Sequence, residues 1–346
     1  IEHVCSVIRL NPGHIHGQVK GLLDTGMWRL KQVYAEEPDL LAAFSERYPD
    51  ALAADDAEQI LADPEVELIA SASINAHRGP LAVRALDAGK HFFVDKPCVT
   101  TFEQLQAVKE AVERSARRWF AFFGEMVTDA GVEWVHREMK AGNLGEPVHF
   151  MGLGPHKLRI DTRPDWFFDR DLYGGILNDI ASHQIAQFIY WALQDPVPQY
   201  ARVGNLHHPE VPDFQDFGDA MLTGTNGATG YLRVDWFTPN GMPVFGDIRQ
   251  QLITTEAYVE HRKTIDIGAR GSDSPPRLIV TRSGREPEIV DLKAQTAPFF
   301  ERLTADVEEG TETSIPFSLS YSASKAILEL QAMAVRLDPI GGSVGQ

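Results

Sequence analysis

Strand-like and helix-like stretches alternate at short spacing from the amino terminus to Phe123, and few folds accept that pattern. Residues 4–10, 30–35, 68–73, 91–94 and 119–123 are apolar runs rich in β-branched and aromatic side chains. Between them lie helical stretches: one carrying Val19, Leu22 and Leu23, one through Leu40, Leu41 and Phe44, and one over 55–61. Another covers 77–88 and stops at Gly89, and the next restarts near Thr101 with Leu105, Val108 and Val112 on one face. Strands buried on both faces and joined by helices form a parallel, doubly wound sheet, so the expected class is α/β.

Gly124 reads as a hinge, dividing an N-terminal domain over 1–124 from a second domain over 125–346. A helix with Val132, Val135 and Met139 ends at the turn 141–145, and a strand from Val148 opens the second sheet. Residues 217–222 and 229–237 alternate as strands joined by a hairpin at Thr225-Asn226-Gly227, and 252–261 continue that sheet. These spacings predict antiparallel strands in the second domain. A helix over 318–337 can pack back on the first domain, and 341–346 read as a frayed tail.

Composition narrows the partners. A formal net charge of −17 disfavours nucleic acid and anionic membranes. No run approaches a bilayer span and no signal-peptide pattern opens the sequence, so a cytoplasmic location is expected. Cys5 and Cys98 sit among strand-like residues and read as reduced core thiols.

Two stretches carry chemistry. The run KHFFVDKPCVTT places Asp95-Lys96-Pro97 where a buried strand ends, the edge at which open α/β sheets hold ligands. The first turn, 11–17, holds Gly13, His14, Ile15 and Gly17 at a helix start, but no full G-x-G-x-x-G can be written there. Glu36 ends the second strand, where a carboxylate accepts from a ribose and repels a 2′-phosphate; NAD is expected over NADP. In the stretch 161–191, Gly174-Gly175 opens a helix with Asp179 and His183 four residues apart on one face. A carboxylate beside an imidazole can orient it for proton transfer, or be a structural hydrogen bond.

In Asp95-Lys96-Pro97, the turn 141–147 and the G-G-x-L-x-D-x-x-x-H pattern over 174–183, the chain resembles the Gfo/Idh/MocA oxidoreductases. The resemblance spans nearly the whole sequence. It implies a Rossmann dinucleotide-binding domain followed by an α+β domain on a large, open, mostly antiparallel sheet. It also implies NAD(P)-dependent oxidation or reduction of a sugar, polyol or related hydroxy compound. Lys96, Asp179 and His183 then fall on catalytic positions. Gly13, His14, Ile15, Glu36, Ser73, Asn75, Arg78, Asp95 and Lys96 fall on cofactor-binding ones, and no metal is implied.

Four departures accompany it: Asp95 where Glu is usual, Tyr173 in place of a glycine, Ala186 in place of a second aspartate, and Arg78 in place of a histidine. His156, Lys157, Arg163 and Trp166 could line a sugar pocket or be exposed-loop filler. A sheet with one uncovered face needs a partner, so a homodimer or homotetramer is expected. Two rivals stand beside this reading. One is a non-catalytic dinucleotide or sugar sensor of the same fold; the other is a metal-dependent hydrolase built on His14 and His16.

Overall fold

The computed structural model describes residues 2–11, 13–270 and 275–340. Pro12 of the first turn and the tail expected over 341–346 lie outside the described residues. The chain divides into two compact units, Ile1–Gly124 with Pro298–Tyr321, and Glu125–Ala297 with Ser322–Gln346.

In the first unit six parallel strands take the order β3-β2-β1-β4-β5-β6. They are β1 (His3–Ile8), β2 (Trp28–Tyr34), β3 (Leu52–Ala53), β4 (Leu68–Ser71), β5 (His91–Asp95) and β6 (Trp119–Phe122). Helices α1 (Ile15–Asp24), α2 (Pro38–Arg47), α3 (Ala57–Ala62), α4 (Asn75–Asp87) and α5 (Phe102–Ser115) connect them. The order reverses between β1 and β4, the switch point that opens a crevice at the strands' carboxyl ends. Val7, Ile8, Ile69, Ala70, Phe93 and Val94 are fully buried, as continuous apolar runs in a two-sided sheet require. The first strand ends two residues before its apolar run does, because Arg9 adopts a left-handed φ of 77° that turns the chain out of the sheet. Cys5 and Cys98 are buried and unpaired, and burial pushes the Cys5 thiol up to about 12.

Helix α6 (Gly124–Val127) straddles the division, and the second unit goes on with α7 (Ala130–Lys140), then β7 (Pro147–Pro155). Helices α8 (Arg170–Tyr173), α9 (Ile176–Asp179) and α10 (Ala181–Ala192) follow. Strands β8 (Pro196–Gly204), β9 (Phe217–Gly224), β10 (Thr229–Asp235), β11 (Arg249–Thr254) and β12 (Ala257–Arg262) come next, then α11 (Ile267–Arg270). After β13 (Arg277–Arg282) and β14 (Glu288–Ile289), the last strand is β15 (Val335–Leu337). The nine strands take the order β14-β13-β12-β11-β7-β10-β9-β8-β15 and pair antiparallel except at β7/β10 and β8/β15. Along β7 and β9 burial alternates with the pleat, so one face is covered and the other carries half-buried or exposed residues such as Met151, Leu153 and Met221.

Residues 252–261 continue the sheet as a hairpin: the Thr254 hydroxyl accepts from the Ala257 amide at 2.8 Å and closes a turn at Thr255-Glu256. One expectation changes: the last helix ends before 337, since Val335–Leu337 pairs with β8 and covers what would otherwise be a sheet edge.

Two helices complete the chain, α12 (Phe299–Glu309) and α13 (Phe317–Met333). Phe299 and Phe300 pack on Phe93 and Phe122, with ring centroids 5.3–6.1 Å apart across the cluster. Gly21 admits this packing: a Cβ there would lie 2.0 Å from the Phe300 ring. The division between the units falls inside α13. No described helix is long and apolar enough to cross a membrane.

Candidate active site

A parallel sheet brings the carboxyl ends of β1, β2, β4 and β5 to one edge of the first unit, and most of the expected cofactor residues lie there. Helix α1 starts at buried Ile15, and its N-cap, His14, makes no side-chain capping bond. A Cβ built on Gly13 or Gly17 would meet nothing within 4 Å, and neither residue has a left-handed φ. Neither packing nor backbone angle demands glycine there, and the open space beside these exposed residues can admit a ligand. The hydroxyls of Ser71 and Ser73, at the end of β4, are buried with no hydrogen-bond partner among the described residues. Open space over helix amides beside unsatisfied hydroxyls fits a dinucleotide's phosphates and ribose. Asn75 is buried as the first residue of α4.

Glu36 is not a lone carboxylate. The Arg9 guanidinium pairs with it and holds its carboxyl below the usual range. The repulsion expected to exclude a 2′-phosphate is therefore balanced by a cation that the sequence reading did not use.

At the end of β5, Arg78 is placed differently from a cofactor ligand. Its side chain is 1% exposed, and its Nε donates to the Ser73 carbonyl at 2.8 Å. Its Nη1 donates to the carbonyls of Asp95 at 3.2 Å, Lys96, and Pro97 at 3.0 Å. Its Nη2 meets the Asp95 carboxylate at 3.3 Å. Arg78 thus fixes the backbone that carries Lys96. Burial would raise the Asp95 carboxyl, but His14, 3.1 Å away, and Arg78 outweigh it and bring it down to about 2.

In the second unit the Gly174-Gly175 pair has a clear cause. Both have left-handed φ, and a Cβ on Gly175 would lie 2.4 Å from the Gln331 side-chain oxygen, which accepts from the Leu177 amide. The single helix expected from 176 onward is broken at Ile180, so Asp179 closes α9 and His183 lies in the first turn of α10. The His183 amide donates to the Ile180 carbonyl at 3.2 Å, and the Ser182 hydroxyl caps Asp179 O at 3.1 Å. Tyr173, in the place of a glycine, is fully buried and accepts from the Gln215 amide, and burial raises its phenol.

A further carboxylate approaches His183, and a buried ammonium acts on that carboxylate. Glu125 places one carboxylate oxygen 3.8 Å from His183 Nε2 and 3.7 Å from His156 Nε2. The ammonium of Lys263 is buried; desolvation lowers its pKa, opposed by Asp129 and Glu125. Of the other expected pocket residues, Lys157 donates to the carbonyls of Asn240, at 3.2 Å, and Met242. Arg163 lies over Phe167 and Trp236, donating to the Leu158 carbonyl at 2.9 Å, and burial lowers its pKa. Trp166 is half-buried against Phe167. Glu125 and Lys263 stood outside the sequence reading; the only signal for Glu125 was its place directly after Gly124.

The H-x-H pair diverges: His14 turns to Asp95, whereas His16 stacks near Phe44 and Tyr48 at 5.7 and 5.9 Å. Among the described residues no group of three or more His, Cys, Asp or Glu side chains could hold a metal ion. The hydrolase reading also lacks its barrel, since the N-terminal strands form an open six-stranded sheet.

Residues 3–123 match the model of an oxidoreductase family with an NAD-binding Rossmann fold, and 132–260 that of the GFO/IDH/MocA C-terminal domain. Over 227 residues the chain is 25% identical to the scyllo-inositol 2-dehydrogenase (NAD(+)) of Bacillus subtilis, covering 63% of each protein. Over 212 residues it is 28% identical to the levoglucosan dehydrogenase of Pseudarthrobacter phenanthrenivorans, covering 60% of this chain and 54% of that protein. The match thus spans less than two thirds of either curated relative. A crystal structure of a protein from Erwinia carotovora atroseptica superposes with a TM-score of 0.93 at 36% identity, covering 97% of this chain and 100% of that one.

Proposed function

The chain belongs to the Gfo/Idh/MocA family of oxidoreductases, and on that premise we propose that it transfers a hydride between a nicotinamide dinucleotide and a hydroxyl- or carbonyl-bearing carbon of a sugar or polyol. NAD is the first choice and NADP the second. The dinucleotide, when bound, supplies the hydride chemistry; the chain supplies binding, charge and proton handling. Gly13, His14, Ile15 and the amino end of α1 take the pyrophosphate, while Ser73 and Asn75 take further polar groups of the cofactor. Glu36 accepts from the adenosine ribose.

Lys96 presents a cation to the carbinol oxygen and stabilises its alkoxide character. His183 takes the hydroxyl proton in oxidation and returns it in reduction. Asp179 orients a substrate hydroxyl, and Arg163 and Trp166 offer a planar cation and an aromatic edge for sugar recognition. What supports this reading most is the hold on Lys96: a fully buried arginine bonded to three successive carbonyls around it is more than a surface lysine needs. The sensor reading leaves that hold without a purpose.

A screen of sugars and polyols with NAD and with NADP, followed by absorbance of the reduced nicotinamide, tests the reading. Lys96→Ala is expected to lower turnover about 100-fold or more. His183→Ala is expected to lower it roughly 100-fold to 10,000-fold while leaving dinucleotide affinity intact. Full turnover in both variants would refute the assignment.

A second copy of this chain is the proposed partner, docking on the uncovered face of the nine-stranded sheet. Met221, Ile253 and Tyr200 are 54%, 41% and 45% exposed there, more apolar surface than a lone sheet leaves wet. Light scattering of the purified protein should give a dimer or tetramer mass.

A further inference from the structure

We infer that Glu125 is a positioning residue that sets how readily His183 takes a proton, sharing one carboxylate oxygen with His156 and balanced by Lys263. The inference rests on His183 being the proton acceptor proposed above.

The starting point is the tautomer of His156. Its Nδ1 lies 3.0 Å from the Gly154 carbonyl oxygen. A carbonyl only accepts, so Nδ1 carries the hydrogen, and in the neutral ring Nε2 is a bare lone pair. That lone pair faces a Glu125 oxygen at 3.7 Å. Lone pair against carboxylate repels; a protonated Nε2 attracts. The contact therefore favours the imidazolium of His156.

The Nε2 of His183 meets the same oxygen at 3.8 Å, so the same attraction acts on a proton arriving there. The two rings compete for one anion, and a proton on either makes the other harder to charge. An opposite charge within 4–6 Å shifts an ionisable group by about 1–3 pH units.

Charged and titratable groups stand on several elements of the second unit. Glu125 lies in α6, Asp129 caps α7, and His156 follows β7. Asp179 ends α9, His183 lies in α10, and His261 and Lys263 lie in and just after β12. Asp129 is already engaged: it accepts from the Val132 amide at 2.8 Å and sits 3.5 Å from His261. Asp179 faces Arg163.

The second oxygen of Glu125 and the ammonium of Lys263 are both buried with no hydrogen-bond partner among the described residues. Glu125 and Asp129 oppose the desolvation of the Lys263 ammonium, so the carboxylate and the ammonium attract each other. The arrangement carries a carboxylate, its counter-charge and two imidazoles, and it becomes complete when one proton is added. Oxidation of an alcohol delivers that proton.

The test uses the full chain with labelled histidine rings, titrated by NMR without cofactor, alongside the pH profile of kcat/KM on the substrate found in the screen. Glu125→Gln removes the anion at nearly constant shape. The His183 ring should then titrate at least about one unit lower, and the acid limb of kcat/KM should move down with it, while the KM for dinucleotide stays put. Glu125→Asp should restore part of the shift. In a second variant, Lys263→Met, the His183 titration should move upward, which keeps the question answerable if Glu125→Gln does not fold.

A His183 ring whose titration is the same in wild type, Glu125→Gln and Lys263→Met would overturn the inference while leaving His183 as the proposed base. Full turnover in His183→Ala, with the ring shift in Glu125→Gln intact, would instead sink the catalytic reading.

Discussion

Replacing Arg78 by Met should be among the most damaging single changes in the first unit. Methionine keeps most of the volume and removes every donor. Four backbone carbonyls, at residues 73, 95, 96 and 97, lose a charged donor, and the Asp95 carboxylate loses its guanidinium partner. A hydrogen bond to a charged group contributes about 1.5–3 kcal/mol, but these five share one guanidinium and do not add. Breaking a buried ion pair by deleting one partner costs roughly 3–5 kcal/mol. His14 remains on Asp95, so about 4 kcal/mol is the expected loss, read by denaturant unfolding of the full chain.

A second readout follows from Asp95. Its folded carboxyl is depressed to about 2. Its stabilisation is therefore fully present above the unfolded value near 3.9 and is lost as pH falls towards 2. Without Arg78 the folded value rises, so in Arg78→Met that contribution is smaller and disappears at higher pH. Arg78→Lys keeps the charge but not the fork, and should fall between wild type and Met. A loss under about 1 kcal/mol in Arg78→Met, with an unchanged acid limb, would refute the argument; water would then be satisfying those carbonyls.

Three further outcomes are expected. Glu36→Ala frees the Arg9 guanidinium, so NADP should gain on NAD by up to about tenfold in calorimetric titrations; an unchanged ratio would mean the ribose does not reach this pair. Gly175→Ala forces a side chain into φ 94°, ψ 157° and against Gln331, and should cost about 2–4 kcal/mol in unfolding experiments. Burial depresses both His91 and His261 to about 4. The unfolded chain binds protons first, near 6.5, so each histidine's contribution is present above that value and is lost as pH falls towards 4, on the order of 3 kcal/mol each. His261→Leu should flatten the slope of stability between pH 6.5 and 4, and an unaltered slope would show that the ring opens to water.

The sequence by itself determined the parts that depend on neighbours along the chain. Alternating apolar periods placed the strands and helices of the first unit to within a few residues, because a strand's pleat and a helix's stripe are written in consecutive side chains. The glycines at 174 and 175 and the run to Lys96 were legible for the same reason. What tertiary structure alone decided involves partners far apart in sequence. Met333 ends α13 because Val335–Leu337 finds the β8 edge, and no local signal announces that edge. The break at Ile180 separates Asp179 from a regular helical turn with His183, although their spacing looked continuous. Arg78 reads as a cofactor-binding position in a helical stretch until β5 returns to lay three carbonyls on it. Glu125, His156, His183 and Lys263 come from four segments of the second unit. Their meeting is set by sheet order and helix packing, whose energies come from long-range burial rather than from any motif.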